Sequence, residues 1–81
     1  MLEELSSRDK VVGLKQAQRA LHAGRAVRLF LARDADPYLT EPLLARCREQ
    51  NIPVETGCTM AQLGRAAGIE VGTAAVALLA K

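Results

Sequence analysis

Apolar residues recur along this chain with two alternating periods. Leu14, Ala17, Ala20 and Leu21 fall on one side of a helix, while Lys15, Gln16, Gln18, Arg19 and His22 fall on the other. This spacing predicts a helix over residues 14–23, stopped by Gly24 where a left-handed residue is favoured. Residues 26–32 are apolar on both faces and predict a central, covered strand. Asp36 is placed to cap a second helix whose first residue is Pro37, a position where a missing N–H costs nothing. That helix should run to about Gln50 with Leu39, Leu43, Leu44 and Cys47 inward, and Pro42 inside it is a candidate kink. Residues 51–53 read as a turn, and residues 53–56 as a short strand at the periphery, because Pro53 cannot donate to a ladder. Thr59 and Gln62 have capping-box spacing for a third helix, which Gly68 would close. The apolar run over residues 73–79 is a buried strand. With a brief extended segment at 10–13 and a short opening helix at 2–7, helices and strands alternate throughout. Such alternation predicts an α/β fold, a central sheet with helices on both faces.

One stretch breaks the pattern. Between Gly68 and Gly72, Ile69 and Val71 flank Glu70 on what should be a short loop. Branched apolar side chains are unusual there, because loops face water. Either the loop folds back onto the core, the more ordinary arrangement, or it presents an apolar surface to something.

Composition narrows the functions open to such a fold. At 81 residues, 49% apolar, the chain (1–81) is expected to form a single domain. No apolar run approaches the ~18 residues of a membrane span. The acidic start lacks the basic flank of a signal peptide, so the expectation is a cytoplasmic protein with no membrane partner. Cys47 and Cys58 are not in a CxxC pair and His22 is the single histidine, too few ligands for a zinc site. Both cysteines read as small hydrophobes, and neither metal nor cofactor is expected. Catalysis is not expected either. Ser6 and Ser7 lie near a terminus, no histidine–acid arrangement supports a nucleophile, and no phosphate-binding glycine motif is present.

Charge is uneven. Six bases (Arg8, Lys10, Lys15, Arg19, Arg25, Arg28) against Asp9 give residues 8–28 a charge of +5 in a chain of net +2. A basic segment of this kind points either to a polyanion or to nothing more than a solvated helix face. An aromatic stacking platform is excluded at this level, since Phe30 lies in a strand and Tyr38 opens a helix. What is left is a basic helix start beside an aliphatic loop. Gly13 opens the helix N-terminus, whose free N–H groups favour phosphate. Lys15 and Arg19 are spaced i, i+4 with Gln16 beside them, and a Gln amide suits base edges.

Three segments also carry a resemblance: Gly13-Leu14-Lys15-Gln16-Ala17-Gln18-Arg19, then Ala32-Arg33-Asp34-Ala35-Asp36-Pro37, then Leu63 to Gly72. In order and spacing the chain resembles, over nearly its whole length, the ribosomal protein L7Ae family of kink-turn RNA binders, most of all the small bacterial ribosome-associated members. The resemblance implies a three-layer α/β/α sandwich with a mixed four-stranded sheet. It implies a partner of structured RNA containing a kink-turn, a sharply bent helix–internal loop–helix with tandem sheared G·A pairs, and it leaves the ribosome as a possible partner; the residues themselves suggest no catalysis and nothing beyond a monomer. By motif position, Gly13, Lys15 and Gln16 would approach the G·A pairs, Arg19 would take the family's basic position, and Ile69, Glu70 and Val71 would hold an extruded nucleotide. Arg33 would touch RNA backbone nearby. One departure stands out: archaeal and eukaryotic members usually carry Asn-Glu where this chain has Lys15-Gln16. An unrelated alternative is a protein–protein adaptor that docks through the aliphatic 68–72 loop.

Overall fold

The two faces of one strand bury different partners, and that division builds the layers. The computed structural model describes residues 9–80. Its elements in chain order are β1 (Lys10–Val12), α1 (Leu14–His22), β2 (Ala26–Leu31), α2 (Pro37–Gln50), β3 (Val54–Glu55), α3 (Met60–Ala66) and β4 (Ala75–Leu79). Leu29 and Leu31 of β2, with Ala75, Ala77 and Leu79 of β4, pack beneath α1 and α2 against Ala17, Leu21, Leu43 and Cys47. Phe30 of β2, with Val76 and Leu78 of β4, packs on the opposite side against Leu63 and Ala67. Side chains alternate along a strand, so each strand feeds both cores. Helices therefore cover both faces of the sheet, the expected three-layer α/β/α sandwich.

The sheet order is β1-β4-β2-β3. β4 is antiparallel to β1 and to β2, whereas β2 and β3 are parallel, so the sheet is mixed. Every residue of β4 is buried, as the unbroken apolar run requires. β3 lies at the sheet edge, where Pro53 supplies only its carbonyl, 3.0 Å from the Leu29 N–H that donates to it. The opening helix expected at 2–7 lies outside the described residues.

All three helices among the described residues close with paired backbone bonds of the Schellman type. Arg25 and Gly24 donate to Ala20 and Leu21, Ile52 and Asn51 to Cys47 and Arg48, and Ile69 and Gly68 to Gly64 and Arg65. Asn51, read from sequence as part of a simple turn, is the left-handed residue at the end of α2, with φ 57°.

As expected, α2 carries Pro42 inside it, at an exposed position. One expectation for this helix needs correction. Leu39 does not face the core but is 53% exposed. It stands one turn before Leu43 and faces the start of α1 across a groove rather than the sheet. No helix among the described residues is long and apolar enough to cross a membrane.

Candidate functional site

Strand register gathers three connections at one end of the sheet. Val12 pairs with Val76, and Leu31 pairs with Ala75. The residues after β1, after β2 and before β4 therefore leave the sheet together. Backbone bonds lace them: Gly13 N donates to Ala75 O at 2.8 Å, Ala32 N to Ala74 O at 2.8 Å, and Thr73 N to Met60 O at 3.1 Å. Gly13, Lys15, Gln16, Arg33, Ile69, Glu70 and Val71 all belong to connections or helix turns at this end. Arg19 stands one turn further along α1. The side chains of Lys15, Gln16, Arg19, Arg33, Glu70 and Val71 are exposed, and Ile69 is half-buried.

The three helix N-termini differ in a way that matters for charge. Asp36 caps α2, its carboxylate accepting from Tyr38 N at 2.9 Å. Thr59 and Gln62 form the expected capping box on α3, at 3.1 and 2.9 Å. Asp34 adds a third bond there, accepting from Met60 N at 2.7 Å. That bond ties the β2–α2 turn to α3. No local pattern announces it, since donor and acceptor are 26 residues apart. Two of the carboxylates at this end are thus committed to helix caps. α1 has no side-chain cap. Its first-turn N–H groups have no partner within the helix, and Lys15 adds positive charge beside them. The backbone favours glycine at its head, since Gly13 has φ +111°, and the atom nearest a Cβ built there is Gln16 Oε1, at 2.8 Å, the movable end of a side chain. The Gln16 amide is thereby folded back over the helix start.

The 68–72 loop resolves the either-or left by its sequence. Its backbone does fold back, seated on α3 by two glycines. A Cβ on Gly64 would run into the Val71 carbonyl oxygen, and one on Gly72 would lie 3.2 Å from the Met60 backbone. Val71 does not follow the backbone inward: it is 70% exposed. Folding back onto the core is therefore wrong for this side chain and right for the chain path. Gly64 went unremarked in the sequence, although a glycine within a helix is itself a signal, costing ~1 kcal/mol relative to alanine.

The basic face is smaller than the charge count suggests. Arg28 pairs with Glu55 at 2.8 Å and stands 5.8 Å from the Phe30 ring centroid, off the α1 surface. Lys15 lines the α1–α2 groove, Gln16 borders a hollow beside Val11 and Leu79, and Arg19 borders both. Cys47 is fully buried, and burial pushes its thiol up from the ordinary value, as a core hydrophobe requires. Among the described residues no cluster of His, Cys, Asp and Glu is suited to a metal.

Comparison with known proteins gives a consistent picture. The model of the ribosomal protein L7Ae/L30e/S12e/Gadd45 family matches residues 2–81. An RNA-binding protein of Geobacillus sp. strain WCH70 is 44% identical over 69 residues, covering 85% of this chain and 84% of the relative. RNA-binding protein YbxF of Geobacillus stearothermophilus is 45% identical over the same shares. Among solved structures, a protein of unknown function from Bacillus halodurans C superposes with a TM-score of 0.86 at 25% identity, covering 98% of this chain and 83% of its own. The Giardia lamblia 15.5kD RNA binding protein superposes at 0.87 with 23% identity, covering 99% and 68%, a likeness of fold.

Proposed function

This chain belongs to the ribosomal protein L7Ae/L30e/S12e/Gadd45 family, and we propose that it is a non-catalytic cytoplasmic protein that binds kink-turn RNA as a monomer. The observation that carries the reading is the meeting, at one end of the sheet, of an uncapped basic helix start and a seated loop that projects Val71. The curated relatives' RNA-binding names support the broader half of the reading. Lys15 and Arg19 would neutralise phosphate where two strands crowd at the bend, beside the open N–H groups of α1. Gln16 would bond guanine edges of the sheared G·A pairs, and Arg33 would reach backbone. Ile69 and Val71 would cover an extruded base, with Glu70 between them facing solvent or the base edge. Binding would favour the kinked over the extended RNA, a shift of population. Ribosomal RNA is one host for such an element.

A gel-shift titration tests this. One RNA carries a standard kink-turn, and the control has its tandem G·A pairs replaced by Watson–Crick pairs. Tight binding to the first and loss on the second is expected. Equal, weak, salt-sensitive binding to both would reduce the basic face to a general polyanion surface. The exposure of Val71 favours one other reading, a protein–protein adaptor docking through residues 68–72. Salt separates the two, because phosphate contacts release counterions and weaken steeply with salt, whereas apolar docking barely changes.

A further inference from the structure

We propose that the groove between α1 and α2 takes a single-stranded segment of the RNA, with its phosphates on Lys15, Arg19 and Arg46 and one unpaired base stacked on Tyr38. The proposal rests on the RNA reading above and extends it to a second surface.

The two helices run side by side in the same direction. Leu14 stands opposite Tyr38 and Leu39 at one end, and Gln50 Nε2 donates to Leu21 O at 3.0 Å near the other. Between them lies a groove of about 400 Å³, within the roughly 300–1,000 Å³ of small-ligand sites. Lys15, Arg19 and His22 form one wall; Pro42, Leu43 and Arg46 form the other. No acidic side chain is among the described residues that line it. Its continuation toward the candidate site passes Tyr38, which is 88% exposed, and Leu39. Two carboxylates flank that end in sequence: Asp36 is engaged in the cap of α2, and Glu41, exposed, is not among the lining residues.

An exposed aromatic at the head of a basic groove is the arrangement that holds single strands: cations follow the backbone while a ring stacks a base of any identity. Sequence reasoning excluded an aromatic platform because Tyr38 opens a helix, but its ring stands in solvent. Continuity adds to the case. Lys15 and Arg19 are assigned to phosphates of the kinked RNA, so a strand leaving the bend meets the groove without a gap. A peptide partner would find the three positive groups of Lys15, Arg19 and Arg46 unmatched unless it were itself acidic.

Fluorescence anisotropy at fixed salt tests this with four kinds of RNA: a blunt kink-turn, the same kink-turn with a single-stranded tail of about four nucleotides at one end or the other, a blunt unkinked duplex, and that duplex with the same tails. Wild type should bind one tailed kink-turn about fivefold or more tighter than the blunt form, the lower end of what base–aromatic stacking supplies. Tyr38→Ala and Arg46→Gln, both at exposed positions, should abolish that gain and leave blunt kink-turn affinity unchanged. Thermal melts confirm that both variants fold. Equal affinity for tailed and blunt RNA, or a gain that survives in both variants, overturns the proposal and leaves the groove to an acidic protein partner. If the blunt kink-turn binds no better than duplex, the kink-turn reading falls, and the tailed duplex decides the groove alone: a gain sensitive to Tyr38 upholds it, no gain ends it.

Discussion

Gly64 gives the sharpest test of how the candidate end is held together. Gly64→Ala adds one methyl group to the buried side of α3. That methyl would run into the Val71 carbonyl oxygen and lie 3.0 Å from Gly72 Cα. Both neighbours are backbone atoms, so no rotamer change relieves the conflict. Either α3 moves off the sheet or the loop moves off α3. Overpacking of this kind costs about 1–3 kcal/mol, and rigid neighbours put this case at the upper end. Alanine is favoured over glycine inside a helix by about 0.8–1 kcal/mol, which offsets part of the loss. The net expectation is a destabilisation of about 2 kcal/mol, or a Tm lower by roughly 8–16 °C in a domain of this size. Gly57→Ala is the control. Nothing lies within 4 Å of a Cβ there, and its φ is not positive. It should be neutral or stabilise by up to about 1 kcal/mol, through a less flexible unfolded chain. Thermal and urea unfolding of wild type and both variants, followed by far-UV circular dichroism, would measure the difference. A Gly64→Ala protein as stable as Gly57→Ala would refute the close approach of α3 to the loop, and with it the reason Val71 projects.

Other substitutions separate recognition from stability. Gln16→Ala should weaken kink-turn binding by about 1–3 kcal/mol, the range for a base-reading contact, without lowering Tm; equal affinity in a titration at fixed salt would remove Gln16 from recognition. Val71→Ala should lower RNA affinity and shift stability by less than about 0.5 kcal/mol, as for most surface changes, so a clear drop in Tm would count against its projecting role. Asp34→Ala removes the bond to Met60 N and should cost about 0.5–2 kcal/mol, as the loss of a helix cap does. Unchanged unfolding would show that Thr59 and Gln62 suffice to cap α3.

What could be read from the chain alone was what is local. The amphipathic spacing of α1, the Asp36–Pro37 start of α2 and the Thr59–Gln62 box each lie within a turn or two of sequence, and each is present in the fold. Positions set by distant partners were beyond reach. Asp34 is an ordinary turn residue until Met60 is placed beside it. Gly64 is a weak spot in a helix until the Val71 carbonyl is placed against it. Leu39 fits the inner stripe of α2 by period, but period cannot tell that α2's first turn faces the α1–α2 groove. Arg28 adds to a basic run in sequence and leaves it in space, because Glu55 on the neighbouring strand pairs with it. The candidate site divides in the same way. Its helix half follows a sequence signal, while the outward aim of Val71 and Tyr38 depends on which neighbours leave them uncovered.

That division has a consequence for specificity. At the candidate end, backbone bonds, close-packed glycines and two helix-capping aspartates hold the frame, and the outward side chains of Lys15, Gln16 and Val71 carry almost none of it. On the proposed reading, positions 15 and 16 are therefore free to change RNA preference without a cost in stability. On the kink-turn reading, an Asn-Glu pair would offer guanine amino groups a charged acceptor, and hydrogen bonds to ionised groups are roughly twice as strong as neutral ones. Gln16 offers a neutral carbonyl instead, and Lys15 replaces a neutral amide with a cation next to the open end of α1. The balance shifts from base edges toward phosphate. A chain built this way should hold its RNA with a steeper dependence on salt, and discriminate less sharply against altered G·A pairs, than one carrying Asn-Glu at these two positions.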